Sequence, residues 1–309
     1  MSSRGLHHIT TIIADARRTR HFYADVLGLR LIKKTVCYDD PGSYHLYYGD
    51  GLGQPGTVMS ALTWNCVSPG MIGVGEVVQT ALRVPVESLD WWRERLTQAG
   101  VSSTFDHSAF GERTLCFCDP DGTTLALVGA RETKPEGPWW ASRVGLGNAV
   151  RGLHSVTLSL READATIDIL QDIFGFHCVS QREGWMRFVA HDEPGGTLDL
   201  HLIGRSSRGR LGGGTIRHVA FRAADVNEQC AMAERLQRVY GITVSEPIER
   251  TYLQAVAFRA PCGVLFEIAT DGPGFTADEA SEQLGEALKL PVFLEERRHE
   301  LEGILPPLG

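Results

Sequence analysis

Gly5-Leu6-His7-His8-Ile9-Thr10 returns later in the chain as Gly152-Leu153-His154-Ser155-Val156-Thr157. Each is a short β-rich run that leads into a helical stretch. The first helix is expected from Ala16 to Val26, stopped by Gly28, and the second from Ala163 to Ile173, stopped by Gly175. Glycine just past the last turn is the usual helix terminator. Alternating strands follow both, Tyr44-His45-Leu46-Tyr47-Tyr48 and Met186-Arg187-Phe188-Val189. Two further units fit the same plan. Val77 to Val84 reads as a strand, Leu89 to Ala99 as a helix and Arg113 to Val128 as a hairpin. Thr215 to Arg222, Asn227 to Tyr240 and Ala255 to Ala269 repeat that order, and the hairpin turns Asp119-Pro120-Asp121-Gly122 and Ala260-Pro261-Cys262-Gly263 match.

The chain therefore reads as β-α-β-β-β four times, an α+β fold in two halves, each half a pair of modules. The halves are residues 1–145 and 146–309, joined through a stretch rich in Pro, Gly and Trp from Gly129 to Ala149. Gly272-Pro273-Gly274 opens a C-terminal segment with a helix expected over Ala277 to Leu288 and a proline-rich tail.

The repeat also serves as a ruler for chemistry. With the first strands aligned, His8 falls opposite Ser155 and His218, and near Thr80. With the last strands aligned on the turn glycine, Glu267 matches Ala126, with Ser60 and Leu200 as approximate counterparts. Only the first and fourth modules place ligand-type side chains there. His8, His218 and Glu267 supply two imidazoles and one carboxylate, a set that leaves positions open on a metal for substrate and oxygen. Residues two apart share a strand face, so His218 lies with Ile216 and Ala220, and Glu267 with Leu265 and Ala269. A carboxylate on such an apolar face is costly unless paired or metal-bound. Ser60 leaves the fourth protein position empty, which suits a reactive site better than a structural one. A lone strand histidine is ordinarily a hydrogen-bonded structural residue. His45, His154, His177, His191 and His201 take that reading, with His201 expected one residue off the ligand phase and facing away.

Composition excludes other classes. The 309 residues, 43% apolar and 22% charged, suit a folded soluble protein. The net charge of −8 argues against a nucleic-acid partner. No stretch approaches the roughly 20 apolar residues that span a bilayer. The N-terminus shows no signal-peptide core, and the seven scattered cysteines fit reduced thiols in a cytoplasm.

These motifs bring the chain close to a known family. Leu6-His7-His8-Ile9-Thr10, Val26 to Thr35, Tyr44 to Asp50, Arg151 to Thr157 and Gly263 to Thr270 resemble the vicinal oxygen chelate superfamily. That is the glyoxalase/bleomycin-resistance/extradiol-dioxygenase fold of paired β-α-β-β-β modules. Within it the sequence is most similar to two-domain ring-cleaving dioxygenases of the hydroquinone type. Leu290-Pro291, Leu294-Glu295 and Arg297-Arg298 in the tail look like the same group.

The resemblance implies metal ligands at His8, His218 and Glu267, in agreement with the repeat. It implies Fe(II), with Mn(II) as the alternative ion, and a small aromatic substrate and O2 as partners. His7 matches a family histidine beside the ligand and is the first candidate general acid or base. Arg250 matches a residue that contacts the substrate hydroxyl, and a guanidinium suits a phenolate. Thr10 shares the face of His8, and Tyr252 lies near enough to Arg250 to stand in for a missing tyrosine. The sequence departs from the family at Arg217, where a second histidine is usual, and at Ala257, where a tyrosine is usual. The expected activity is Fe(II)-dependent, extradiol-type cleavage of a hydroquinone or catechol-like ring. A glyoxalase- or thiol-transferase-like metalloenzyme and a non-catalytic aromatic-binding protein are the alternatives on the same scaffold. A homo-oligomer is left open, with the segment beyond Gly272 as its contact surface.

Overall fold

The computed structural model describes residues 5–130, 142–204 and 206–308, so most of the expected linker (131–141) lies outside the described residues. The first module comprises β1 (Leu6–Ile13), α1 (Ala16–Arg20), β2 (Arg30–Val36), β3 (Tyr44–Gly49) and β4 (Val58–Thr63). The second comprises β5 (Glu76–Pro85), α2 (Leu89–Gln98), β6 (Ser103–His107), β7 (Arg113–Cys118) and β8 (Thr124–Ala130). The third comprises β9 (Leu153–Leu160), α3 (Asp164–Asp172), β10 (His177–Arg182), β11 (Trp185–Val189) and β12 (Thr197–Leu202). The fourth comprises β13 (Ile216–Ala223), α4 (Val226–Tyr240), β14 (Ile248–Glu249), β15 (Leu253–Arg259) and β16 (Leu265–Pro273).

Local chemistry sets these bounds. Asp15 caps α1 by accepting from the Arg17 and Arg18 amides. The stretch expected as one helix is α-helical only to Arg20 and continues over His21–Val26 with wider, π-type turns. Asp225 accepts from the Glu228 amide while the Glu228 carboxylate accepts from the Ala224 amide, which fixes the start of α4.

The modules pair as one with four and two with three. One eight-stranded sheet runs β14-β15-β16-β13-β1-β4-β3-β2 and the other β10-β11-β12-β9-β5-β8-β7-β6. In each, two first strands meet antiparallel at the centre, β1 with β13 and β5 with β9. Each sheet thus takes one module from either side of the 145/146 division. A core that includes Tyr23, Trp92, Ile169 and Leu236 joins the helices to the sheets.

One turn glycine per module sets the register of the last strand. Gly56, Gly122, Gly195 and Gly263 hold φ of 86°, 97°, 81° and 97°, a region that favours glycine. Four residues on, Ser60, Ala126, Asp199 and Glu267 pair with the first strand of their own module, at Thr10, Ala81, Thr157 and Ala220. The counterpart of Glu267 in the third module is therefore Asp199, not Leu200. Gly195 and Gly196 are adjacent, and Gly195 is the one with positive φ. The counterpart of His218 in the second module is Gln79, not Thr80, because β5 carries an extra residue at Val78. His201, two residues beyond Asp199, shares its face and stacks on Trp185 with centroids 3.8 Å apart. It does not face away.

The C-terminal segment departs from expectation. In place of a helix over 277–288 there are single 3-10 turns at Phe275–Ala277 and Ser281–Gln283, and the α-helix, α5, comes later at Arg298–Ile304. Its residues are held by the first sheet rather than by one another. Phe275 and Leu284 pack with Ile32, Tyr47, Val58 and Tyr252. The ammonium of Lys33, wholly buried, pairs with Asp278 and Glu279. Gly285 passes so close to β2 that an added Cβ would meet the Leu31 carbonyl oxygen at 1.9 Å. Much of the segment expected to form an oligomer contact is thus folded onto its own chain, although Val292 and Phe293 stay exposed.

Candidate metal centre

β1, β13 and β16 lie side by side in the first sheet and bring His8, His218 and Glu267 together. The two Nε2 atoms are 3.1 Å apart. Glu267 Oε1 stands 3.6 Å from His8 Nε2, and Oε2 stands 3.8 Å from His218 Nε2. All three residues are buried, and their ligand atoms lie within 4.8 Å of one another. No other such group of His, Cys, Asp or Glu side chains is found among the described residues.

These residues fit a metal. Burial, with Glu267 opposing it, lowers the pKa of His8 well below its usual value. Burial, then Arg250 and Arg217, does the same to His218. Both imidazoles are therefore neutral near pH 7 and have lone pairs to give. Glu267 Oε1 is buried with no hydrogen-bond partner. Such an orphan acceptor ordinarily costs about 1–3 kcal/mol, more when charged. A bound cation removes that cost.

Two bulges shape the surroundings. β1 carries an extra residue at His7 and β13 one at Arg217, just before His8 and His218. A bulge re-aims the side chains at its site. His7 thus lies beside His8, with the two Nδ1 atoms 3.0 Å apart. The His7 pKa is lowered to about 4 by burial, against the pull of Asp271, and its ring also hydrogen-bonds the backbone of Thr270. With His7 Nδ1 accepting, His8 carries its proton on Nδ1 and presents a bare Nε2 to the centre. That is the orienting role such neighbours play for ligating histidines. Arg217 is half-buried, with its guanidinium 6.0 Å from the centre of the Trp64 ring.

Thr10 sits where its parity placed it, its hydroxyl 2.8 Å from His218 Nε2 and 2.7 Å from Ser60 Oγ. Beyond Ser60, His45 Nε2 approaches at 3.1 Å, and the Tyr47 hydroxyl lies 3.2 Å from His45 Nδ1. One set of donors satisfies the whole chain, running from Tyr47 through His45, Ser60 and Thr10 to His218. His45 is hydrogen-bonded, as expected, but its bonds lead into the centre. The sequence marked Tyr44 to Tyr48 as a strand, and the whole strand is buried.

Arg250 and Tyr252 end up differently. The positive charge of Arg250 acts on Glu267, His218 and His45, yet its side chain has no hydrogen bond or ion pair among the described residues. Tyr252 is buried against Phe275, and its hydroxyl donates to Asp278 Oδ2 at 2.9 Å. Ala257 lies opposite Glu267 in the β15–β16 pair.

Comparison with known proteins agrees with the fold. The model of the Glyoxalase/Bleomycin resistance protein/Dioxygenase superfamily matches residues 5–127 and 152–268. The chain belongs to that superfamily. Among its relatives is a Bacillus subtilis protein named "Putative ring-cleaving dioxygenase MhqE", 38% identical over 309 residues and covering all of both chains. Another is the chlorohydroquinone/hydroquinone 1,2-dioxygenase of Sphingobium indicum, 30% identical over 96% of this chain and 94% of that one. A crystal structure described as a putative dioxygenase from Bacillus subtilis superposes with a TM-score of 0.94 at 37% identity, covering 100% of this chain and 98% of that one. Maize glyoxalase I, at 16% identity and a TM-score of 0.66 over 87% of this chain and 93% of that one, shares the fold.

Proposed function

We propose that this chain is an Fe(II)-dependent, extradiol-type ring-cleaving dioxygenase acting on a hydroquinone or catechol-like ring, with O2 as co-substrate. The observation that carries the reading is the convergence of His8, His218 and an unpartnered Glu267 beside an unpaired Arg250. The names of the relatives with full-length similarity support the same class. Fe(II), or Mn(II) in its place, would supply a Lewis acid with open positions for a phenolic oxygen and dioxygen.

The chain's own residues supply the rest. His8, His218 and Glu267 would hold the metal, and His7 would keep His8 in the ligating tautomer. Arg250 offers a fixed positive charge to a phenolate oxygen, which lowers the cost of deprotonating the ring hydroxyl. Once His218 Nε2 is engaged, the Thr10 hydroxyl is free to donate to a bound ligand, with Ser60 and His45 behind it. Tyr47, Tyr252 and Phe275 form an apolar cluster in the same sheet. Tyr252 acts through packing in this reading. The reaction adds both atoms of O2 to the ring and opens it. Seven cysteines, all free, fit a reducing cytoplasm, and no helix among the described residues is long and apolar enough to cross a membrane.

An oxygen electrode tests the proposal. Protein loaded anaerobically with Fe(II) is mixed with hydroquinone, chlorohydroquinone or catechol, and one O2 is expected to disappear per ring opened. Turnover of a hemithioacetal without oxygen uptake would assign the centre to glyoxalase chemistry instead. Saturable binding of phenols with no turnover would make the protein a sequestering one.

A further inference from the structure

The second sheet encloses a cavity of about 180 Å³ at the place that the metal centre occupies in the first. Three of its walls are the register counterparts Ser155, Gln79 and Asp199, which replace His8, His218 and Ser60. Behind them lies a charged network. Arg187 donates from Nε and Nη2 to the two oxygens of Asp199, each at 2.8 Å. Its Nη1 reaches Glu112 Oε2 at 2.8 Å, and the other oxygen of Glu112 lies 3.1 Å from His154 Nε2.

This network dictates what the cavity presents. The ionised Glu112 can only accept, so His154 Nε2 carries a proton. The Ser155 hydroxyl lies 3.1 Å from His154 Nδ1. A hydroxyl oxygen with one such bond still has acceptor capacity to spare, so Ser155 can accept from a ligand in the cavity. Gln79 directs its amide nitrogen to the Cys116 sulfur at 3.8 Å, and its carbonyl oxygen has no partner among the described residues. Thr157 is 5% exposed, lines the cavity, and makes no side-chain hydrogen bond among the described residues. Arg187, the only cationic side chain in the lining apart from a histidine, directs Nε, Nη1 and Nη2 to Asp199 and Glu112. Asp106, Glu112 and Asp199 stand against that one guanidinium, so the lining has an excess of negative charge. Trp185 adds an aromatic surface, backed by His201.

We propose that this cavity binds a small organic ammonium ion, a protonated primary amine on a compact flat group. Such a head has three donors and no acceptor, which matches the spare acceptor capacity of the Gln79, Ser155 and Thr157 oxygens. Its charge offsets the excess carboxylate, and an aromatic neighbour favours a cation. A neutral phenol offers one donor, and a carboxylate is repelled. The site is independent of the metal centre and stands whether or not the dioxygenase reading holds.

Calorimetric titration of the full chain with benzylammonium, benzyl alcohol and benzoate tests this. Benzylammonium is expected to bind at least about tenfold more tightly than benzyl alcohol, the difference that hydrogen bonds from a charged donor make, and benzoate not at all. Gln79→Glu, which fixes an acceptor and adds charge, is expected to tighten benzylammonium binding. Thr157→Val is expected to weaken it several-fold. Glu267→Gln is expected to leave it unchanged. Equal binding of the alcohol, weaker binding in Gln79→Glu, or loss of binding in Glu267→Gln would each overturn the assignment. The last would place the amine in the first sheet.

Discussion

The two sheets are the same machine with different parts fitted. In each, two first strands meet antiparallel, an extra residue precedes each inward-facing position, and a turn glycine sets a side chain beside it. The first sheet places His8, His218, Glu267 and Ser60 at those four positions, and the second places Ser155, Gln79, Ala126 and Asp199. The contrast lies in how the carboxylates are satisfied. Asp199 has both oxygens on Arg187, whereas Glu267 keeps one buried oxygen with no partner. A shared scaffold thus makes convergence inexpensive, and charge compensation decides whether a site is closed or waiting for a cation.

Exchanging alanine into both carboxylates should cross the two properties over, and this is the largest effect expected. Glu267→Ala should abolish stoichiometric Fe(II) binding while leaving the stability of the metal-free protein nearly unchanged, because it deletes an orphan. Asp199→Ala should keep the iron but destabilise the fold by about 1–3 kcal/mol, since it removes two charged hydrogen bonds from Arg187 and leaves it paired only with Glu112. Metal analysis and urea unfolding of both variants settle the matter. Full retention of iron in Glu267→Ala would remove the centre from the first sheet.

Acid should also unfold the two sheets in different ranges. His7 is held at about 4, and burial pushes His8, His45 and His218 well below the usual histidine value. Each takes up a proton near pH 6.5 when unfolded but resists it when folded. The metal-free protein should therefore lose stability as pH falls below 6.5, through the range down to about 4 for His7. The loss is up to about 1.4 kcal/mol per pH unit for each such histidine. In the second sheet, His154 and Arg187 overcome the effect of burial and lower Glu112 to about 2. Its contribution is present above the unfolded value of 4.5 and lost as pH falls toward 2. Chemical denaturation across pH 7.5 to 3 should show the steeper slope between 6.5 and 4. A slope confined to the region below 4.5 would mean that the imidazoles of the first sheet are already charged.

How much of this was legible in the sequence follows from what each feature depends on. The four modules were, because glycine-stopped helices and Pro-Gly turns are local events, and α3 fell within one residue of expectation. The convergence of His8, His218 and Glu267 was, because equivalent strand positions carry them. Asp199 was not, because two adjacent glycines compete for one turn and only backbone conformation separates Gly195 from Gly196. Gln79 was hidden by the bulge at Val78, which a residue count cannot detect. The link from Glu112 through Arg187 to Asp199 joins the loop before β7 to β11 and β12, so no spacing encodes it. The helix expected over 277–288 was not there, because Phe275, Glu279 and Leu284 are anchored to the first sheet and not to one another.

The smallest effect expected tests whether the extra residues of the two sheets still do different work. His7 and His154 occupy the same bulge position in β1 and β9. His7 leans on a ligand, with the Nδ1 atoms 3.0 Å apart, while His154 leans on the Ser155 hydroxyl at 3.1 Å. Removing the partner of a ligating histidine typically costs 10–100-fold in metal affinity. His7→Ala should therefore weaken Fe(II) binding by roughly that factor, because His8 is then free to adopt the tautomer that points a proton at the metal. His7→Asn, whose side-chain oxygen can still accept from His8 Nδ1, should recover part of the loss. His154→Ala should leave iron affinity unchanged and weaken only what the second cavity holds. Competition titrations against a metal-binding dye measure all three. Equal losses in His7→Ala and His154→Ala would show that the bulges act on the shared scaffold and not on the ligand beside them.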